Sequence, residues 1–578
     1  MKYILRYLAP YRTRILYGSV IKFAGTIMDL VLPWILAYLI DDVVPEKHIG
    51  AIVLWGVVMM IAALFGLLGN VRANRMASSV ARDATRCIRH DLFDKIQSLS
   101  SAQVDAYTVP SLEARLTSDT YNLHQMIGAM QRLGFRAPIL LIGGIAVSAF
   151  FQPILTLVIV AVLPFIAFLV FRVSARGIPL YTASQRAGDD LTRVVRENVQ
   201  GIRVIKALSR EAYENDRFDT VNRSVNRRET AAGTVMAATN PLMTLFLNLG
   251  LTLVILTGAY CVNRGMFQCG KIIAFMSYFT IILNAMLSVS RMFVIYSKGV
   301  ASAARIGEIL DTPKDLHTEP SDEDSGMDHA GETEHIRFSD VSFSYLGDCA
   351  NAVSDINISV KKGASLGILG ATGSGKSTLI RLLMRFYDVG AGKILIGGKN
   401  IKSIPPSELY TMIGAVMQND IIFEGSIEDN IRFGRSITHH MVVRAAEIAQ
   451  ASGFIHEKKE GYAHMLTYKG TNLSGGQKQR ILIARALAGS PDILILDDSS
   501  SALDYKTDAE LRNALRRNTA GVTKIIVAQR VSAVMDCDEI LVLEEGKIVG
   551  RGTDAELRRN CEIYREISES QMGGIVVA

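Results

Sequence analysis

Up to about residue 300 the chain alternates long apolar runs with charged stretches. Six runs stand out, over residues 15–40, 51–68, 137–151, 154–171, 241–262 and 272–295. Most approach the ~20 residues that a helix needs to cross a bilayer, and the third does so only by taking its first turns from residues 126–135. Core helices of soluble proteins are rarely so apolar over such lengths. The pattern therefore predicts six membrane-spanning helices. From Ile336 it changes to short apolar strands alternating with helical segments, the signature of an α/β domain.

The charged stretches orient the spans. Lys2, Arg6, Arg12 and Arg14 precede the first; Arg72, Arg75, Arg82, Arg86, Arg89 and Lys95 follow the second; Arg172, Arg176, Arg186, Arg193, Arg196, Arg203, Lys206 and Arg210 follow the fourth. The alternate loops, 41–50, 151–153 and 263–271, are short and poor in Lys and Arg. The positive-inside rule places both termini and the loops 72–132 and 172–240 in the cytoplasm. These two loops keep a helical period, as in Ile88, Leu92, Ile96 and Leu99, so the spans are expected to continue below the membrane. Some ~20 extra residues reach roughly 30 Å. The turning points are expected at residues 106–111 and 213–218.

Composition adds limits. Hydrophobic residues make up 49% and mean hydropathy is +0.24. The net charge of +6 is small, and its basic residues lie beside apolar runs, so no nucleic-acid partner is expected. Six Cys in a chain of this length do not suggest a disulfide scaffold. Cys261 and Cys269 bracket the last external loop, as a disulfide or as two thiols. Residues 1–14 lack a cleavage site of small residues and read as a retained amphipathic segment. Asp29 lies inside the first span, either as a functional acid facing a cavity or cationic partner, or as a structural hydrogen-bonded acid near Pro33. The division expected is a membrane domain, 1–310, an acidic linker, 311–335, with Pro313 and Pro320, and the α/β domain, 336–578.

The chemistry lies in that last part. Gly370, Gly373, Ser374, Gly375, Lys376, Ser377 and Thr378 belong to G-A-T-G-S-G-K-S-T, a phosphate-binding loop between a buried strand and a helix. Its glycines let the backbone wrap an anion, Lys376 neutralises phosphate charge, and Ser377 can ligate Mg²⁺. A second buried strand, 492–496, ends in Asp497-Asp498, the Walker B pattern, and Asp497 can hold Mg²⁺ through water. Residues 335–345 and 352–360 read as an antiparallel layer, and 524–528 as another buried strand, ending in Gln529.

Between the two Walker motifs stands Leu473-Ser474-Gly475-Gly476-Gln477. This L-S-G-G-Q, with six spans ahead of the ATP domain, resembles a half-transporter of the ABC superfamily, of the multidrug-exporter type. The resemblance implies an all-α six-helix membrane domain with long cytoplasmic extensions, then an α/β P-loop ATPase domain with antiparallel and helical subdomains. It implies ATP and Mg²⁺ as cofactors. It assigns Tyr345 to adenine stacking, Gln418 to Mg²⁺ and to sensing the membrane half, and Ser474, Gly475, Gly476 and Gln477 to the ATP of an opposite subunit. Residues 501–504 match the loop that crosses to the partner, and the turning points match the coupling helices.

Three positions depart from the family. Asp498 stands where Glu polarises the attacking water, Gln529 stands where a His contacts the γ-phosphate, and residues 467–472 differ from the usual G-E-R-G type. An amide can hydrogen-bond but cannot carry imidazolium charge. The expectation is a site that holds ATP and hydrolyses it weakly. The chain would then be the degenerate subunit of a heterodimeric exporter in a bacterial cytoplasmic membrane, in contact with lipid. Alternatives are an ATP-gated channel or regulatory subunit, and a homodimeric exporter with slow ATPase. The substrate stays open.

Overall fold

A computed structural model of the chain describes residues 2–266, 268–319, 334–345, 350–418, 420–499 and 501–572. It divides into two compact units: Met1–Gln97 with Val109–Thr312, and Ser98–Thr108 with Pro313–Ala578.

The first unit is helical. Among the described residues, six helices are long and apolar enough to cross a membrane: Tyr3–Val43, Ile49–Gln97, Val109–Phe151, Pro153–Gln200, Glu211–Asn263 and Cys269–Asp311. The second runs unbroken over 49 residues, which at ~1.5 Å per residue is about 73 Å, far more than a bilayer's width. Its extension buries Ala73, Ala77, Val80, Ala84, Ile88 and Leu92. Small residues on that stripe let neighbouring helices approach closely. The third span takes its first turns from Thr120 onward, in the helix Thr120–Phe151. Leu155, Ile159, Ile166, Val254, Phe275, Phe279 and Ile282 form one core among the last three spans. Asp41 accepts the backbone N–H groups of Gly270 and Lys271, a carboxylate at the positive end of the sixth span's helix. Cys261 is buried, Cys269 is exposed, and both are free thiols.

The turning points differ from expectation. The first is the short helix Ser101–Tyr107, which opens on a capping box of Ser100 and Gln103 and ends at Thr108. Thr108 has a φ of 62°. The second is Ile202–Ala207, entered through Gly201, while residues 213–218 lie inside the helix Glu211–Ala237. The physical reason is local. Ser100 satisfies the free N–H of Gln103, which starts a helix there. Glu211 and Glu214 sit in the first turn of the returning helix, where the macrodipole favours acids.

The second unit carries the α/β fold. Its strands are β1 (Glu334–Phe343), β2 (Val353–Lys361), β3 (Ser365–Gly370), β4 (Ala391–Ile396), β5 (Lys399–Asn400) and β6 (Ile413–Val416). They continue with β7 (Gly425–Ser426), β8 (Met465–Leu466), β9 (Ile493–Asp497), β10 (Thr523–Ala528), β11 (Glu539–Glu544) and β12 (Lys547–Gly552). One sheet has the order β2-β1-β4-β5 and is antiparallel. The other has the order β12-β11-β3-β10-β9-β6, parallel except for β12. β9 is buried along its whole length, as a central parallel strand covered on both faces must be. A core of Ile336, Phe338, Ile358, Leu379, Leu382, Ile495 and Ile525 joins the two sheets. A second, with Ile427, Val442, Ala446, Ile455, Ile481 and Ile483, belongs to the helical subdomain.

The described part of the expected linker is held by hydrogen bonds. Gln103 Nε2 donates to Pro313 O at 2.7 Å, Arg385 Nη2 to His317 O at 2.6 Å, and Glu319 N to Lys402 O at 3.0 Å. Its remainder, residues 320–333, lies outside the described residues.

Candidate nucleotide site

The site is built at the carboxyl ends of β3 and β9, where open α/β sheets bind ligands. β3 delivers the loop 371–375 into the helix Lys376–Leu383. Gly373 and Gly375 have φ of +87° and +97°, the left-handed region that a side chain disfavours. A Cβ on Gly375 would lie 2.8 Å from Ala352 O, and one on Gly370 would lie 2.3 Å from Leu543 O. The helix is anchored by buried Leu379, Ile380, Leu382 and Leu383.

Lys376 is 8% exposed. Its Nζ donates to Gly370 O at 2.8 Å and to Ala371 O at 2.6 Å, and lies 3.4 Å from the buried Ser374 Oγ. Burial pulls the ammonium's pKa down, against the opposing pull of Asp497 and Asp498. Ser377 Oγ donates to Asp497 Oδ2 at 3.0 Å. Burial raises the Asp497 carboxyl, and the Ser377 hydrogen bond offsets part of that. Asp498 is likewise raised by burial, against Arg530 and Lys376. Buried Lys376 and Asp497 beside half-buried Asp498 are a set that favours an incoming cation and polyanion together.

A cavity of about 330 Å³ brings together Tyr345, Gly373, Gly375, Lys376, Ser377, Thr378, Gln418, Asp497, Asp498 and Gln529. The Tyr345 hydroxyl pairs with Thr378 Oγ1 at 3.1 Å and accepts from Arg381 Nη1 at 3.2 Å. Its ring meets Phe343 and Tyr387 edge-on, with centroids 5.0 and 5.3 Å apart. Arg381 also lines the cavity and was not anticipated. Its spacing of four from Ser377 along one helix face is the signal that could have found it.

Asp498 follows β9 with a φ of 49°. Its N–H donates to Val527 O at 2.9 Å, and its carbonyl accepts from Gln479 Nε2 at 3.1 Å and Ser501 Oγ at 3.0 Å. Gln479 Oε1 in turn accepts from Ala502 N at 3.1 Å. Gln529 is exposed beyond β10. Gln571 bridges its loop: Nε2 donates to Gln529 O at 2.7 Å, and Oε1 accepts from Val531 N at 2.8 Å. Gln479 and Gln571 escaped the sequence reading, since their roles depend on returning elements.

Ser474, Gly475, Gly476 and Gln477 do not line this cavity. They form the N-terminus of the helix Gly475–Leu487, with Ser474 and Gln477 in a reciprocal capping box. Ser474 and Gly475 are exposed, so the positive end of that helix points to solvent. Residues 467–472 form a turn centred on Lys469 at φ 58°, with Lys469 N donating to Ile422 O at 3.0 Å.

The family profile described as ABC transporter transmembrane region matches residues 15–286, and the one described as ABC transporter matches 353–501. YfiB of Bacillus subtilis (strain 168), described as an uncharacterized ABC transporter ATP-binding protein, is 33% identical over 576 residues, covering 99% of each chain. YknU of the same organism, described in the same words, is 31% identical over 582 residues, covering 99% of this chain and 97% of its own. A solved structure of a bacterial Atm1-family ABC exporter with ATP bound shares the fold with a TM-score of 0.80 at 23% identity, covering 97% of this chain and 99% of its own.

Proposed function

Because the chain belongs to the ABC transporter family, with its membrane region and its ATPase domain fused in one polypeptide, we propose that it is one half of an exporter and that its own ATP site turns over slowly. The six spans make it an integral membrane protein. Their basic flanks support a cytoplasmic ATPase domain and a cytoplasmic membrane location.

The observation that carries the slow-site reading is the cavity that gathers Lys376, Ser377, Asp497, Asp498 and Gln529. The binding half is intact. Lys376 and the loop N–H groups take the phosphates, and Tyr345 supplies an aromatic face for the base. Mg²⁺, when bound, would neutralise charge between the phosphates, held by Ser377, Gln418 and, through water, Asp497. The hydrolytic half is weakened. Asp498 reaches one methylene less far than Glu toward an attacking water, and a shortfall of that order costs ~10²-fold in rate. Gln529 offers a neutral amide in place of an imidazole. The exposed Ser474–Gly475 helix end suits the γ-phosphate of an ATP on a second half-transporter, which would carry the stronger Walker site. We therefore favour a heterodimer.

The test is turnover of the purified chain alone in lipid. It should bind ATP and hydrolyse it well below the ~1–10³ s⁻¹ typical of enzymes. Sustained hydrolysis in that range would refute the slow site and with it the need for an unlike partner.

A further inference from the structure

The helix Glu562–Met572 packs against the end of the strand that carries Gln529. Tyr564, Ile567, Ser568 and Gln571 fall at i, i+3, i+4 and i+7 of this helix, so they share one face. Tyr564 and Ser568 are 0% and 1% exposed. Tyr564 and Ile567 pack with Leu369, Ala528, Val531 and Val534 in one core. Leu369 stands just ahead of the phosphate loop, and Ala528 closes β10. Tyr564 OH donates to Asp554 Oδ1 at 2.6 Å, and Arg558 Nε donates to Asp554 Oδ2 at 2.8 Å. These bonds tie the helix to the one before it, Asp554–Asn560.

Gln571 stands at the end of the buried face, and its one amide meets two main-chain groups. Nε2 donates to Gln529 O at 2.7 Å, and Oε1 accepts from Val531 N at 2.8 Å. A carboxylate of the same length would lack the donor, and an apolar side chain would lack both groups. The two bonds bracket Arg530, whose backbone is extended. Gln529 lines the nucleotide cavity. Burial raises the Asp498 carboxyl, and the Arg530 charge is the largest pull against it. The bracketed residues therefore serve the cavity and its acid, although Gln529 and Arg530 are both exposed. Exposed backbone holds one geometry only where neighbouring groups fix it.

We propose that Gln571 is a positioning residue for the nucleotide site: its amide fixes the main chain around Arg530, so that Gln529 meets the γ-phosphate while the helix Glu562–Met572 is docked. Docking of that helix and binding of a triphosphate then favour each other by the same factor, as linked equilibria must. This rests on the nucleotide reading of the cavity and needs neither slow turnover nor an unlike partner.

The test compares the full chain, with any co-purifying subunit in phosphatidylcholine nanodiscs, with two variants. Gln571→Met keeps the length and loses both bonds. Gln571→Glu keeps the acceptor and sets a repelling oxygen against Gln529 O. The probes are AMP-PNP, a triphosphate that is not hydrolysed, and ADP, each with Mg²⁺. The component lost in Lys376→Ala counts as this site. Both variants should weaken AMP-PNP about fivefold, the weight of one hydrogen bond, and leave ADP nearly unchanged. Loss confined to the triphosphate is the readout that a merely structural role would not give. Gln529→Ala should show the same loss, and adding Gln571→Met should not deepen it. Without nucleotide, Gln571→Met should speed hydrogen exchange over residues 529–534 several-fold. Equal weakening of both nucleotides, unchanged exchange, or a full further loss in the Gln529→Ala background would overturn the positioning role. Failure of the unmodified chain to bind AMP-PNP would overturn the nucleotide reading and this proposal with it. Binding with an unchanged AMP-PNP to ADP ratio in Gln571→Met would overturn this proposal alone.

Discussion

At Asp498 and Gln529 the chemistry turns on single atoms. Both line the cavity at the ends of β3 and β9; on the slow-site reading, restoring the family's groups should restore actions on the water and the γ-phosphate. Asp498→Glu with Gln529→His is expected to raise hydrolysis at this site by about tenfold or more, toward the ~10² that the missing methylene represents. Vanadate trapping of labelled nucleotide in the protein with any co-purifying subunit measures it, and an unchanged double variant would count against the slow-site reading. Gly375→Ala should act through the backbone. Its φ of +97° and the 2.8 Å approach to Ala352 O leave no room for a Cβ. The strain of ~1–3 kcal/mol should appear as lost ATP binding and a lower melting temperature. At this scale the strand–loop–helix context of residues 370–378 was legible, because it is written within nine residues. Gln571 was not, because it reaches Gln529 O across 42 residues of chain.

Among the elements, the spans were readable because a bilayer demands a length and a composition that nothing else in the chain shares. The strands β1, β2, β9 and β10 were readable by their apolar runs and their closing polar residues. The turning points were not. The period Ile88, Leu92, Ile96 carries no mark of where it stops, and the stop is set by caps at Ser100 and Gly201. One contact of the first turning helix can be tested. Tyr387 OH donates to Asp105, and burial followed by that acid pushes the phenol's pKa well up. A phenol whose folded pKa exceeds its unfolded value near 10 contributes stability below that value and loses it only as pH rises past the folded one. The contact should therefore be constant around neutrality. Tyr387→Phe should cost about 1 kcal/mol, seen as several-fold faster hydrogen exchange over Ser101–Tyr107. An unchanged rate would show that packing alone holds the helix.

For the whole molecule, the separation of the Lys376 cavity from the Ser474–Gly475 helix end is the distinguishing feature. Lys376 lines one cavity, while Ser474 and Gly475 lie outside it on an exposed helix end. If that end serves the ATP of a second half-transporter, Gly475→Asp sets a carboxylate against a triphosphate, and the two anions repel strongly in a partly dry interface. Transport by the pair should then nearly vanish, whereas Lys376→Ala should leave a measurable fraction. Proteoliposomes with the wild-type partner at saturating ATP decide it, with expression matched. Greater damage from Lys376→Ala would make this chain's own site the working one.

The allocation of Ser98–Thr108 to the ATPase unit has a consequence for biogenesis. Asp105 leaves the ribosome 282 residues before Tyr387, its hydrogen-bond partner. At roughly 5–20 residues per second, the segment waits on the order of 15–55 s for the surface it docks against. During that interval the four later spans are synthesised, and the segment that follows the second span stands without its partner surface. A nascent chain stalled before Pro313 therefore displays Ser101–Tyr107 without the surface that Asp105 bonds to.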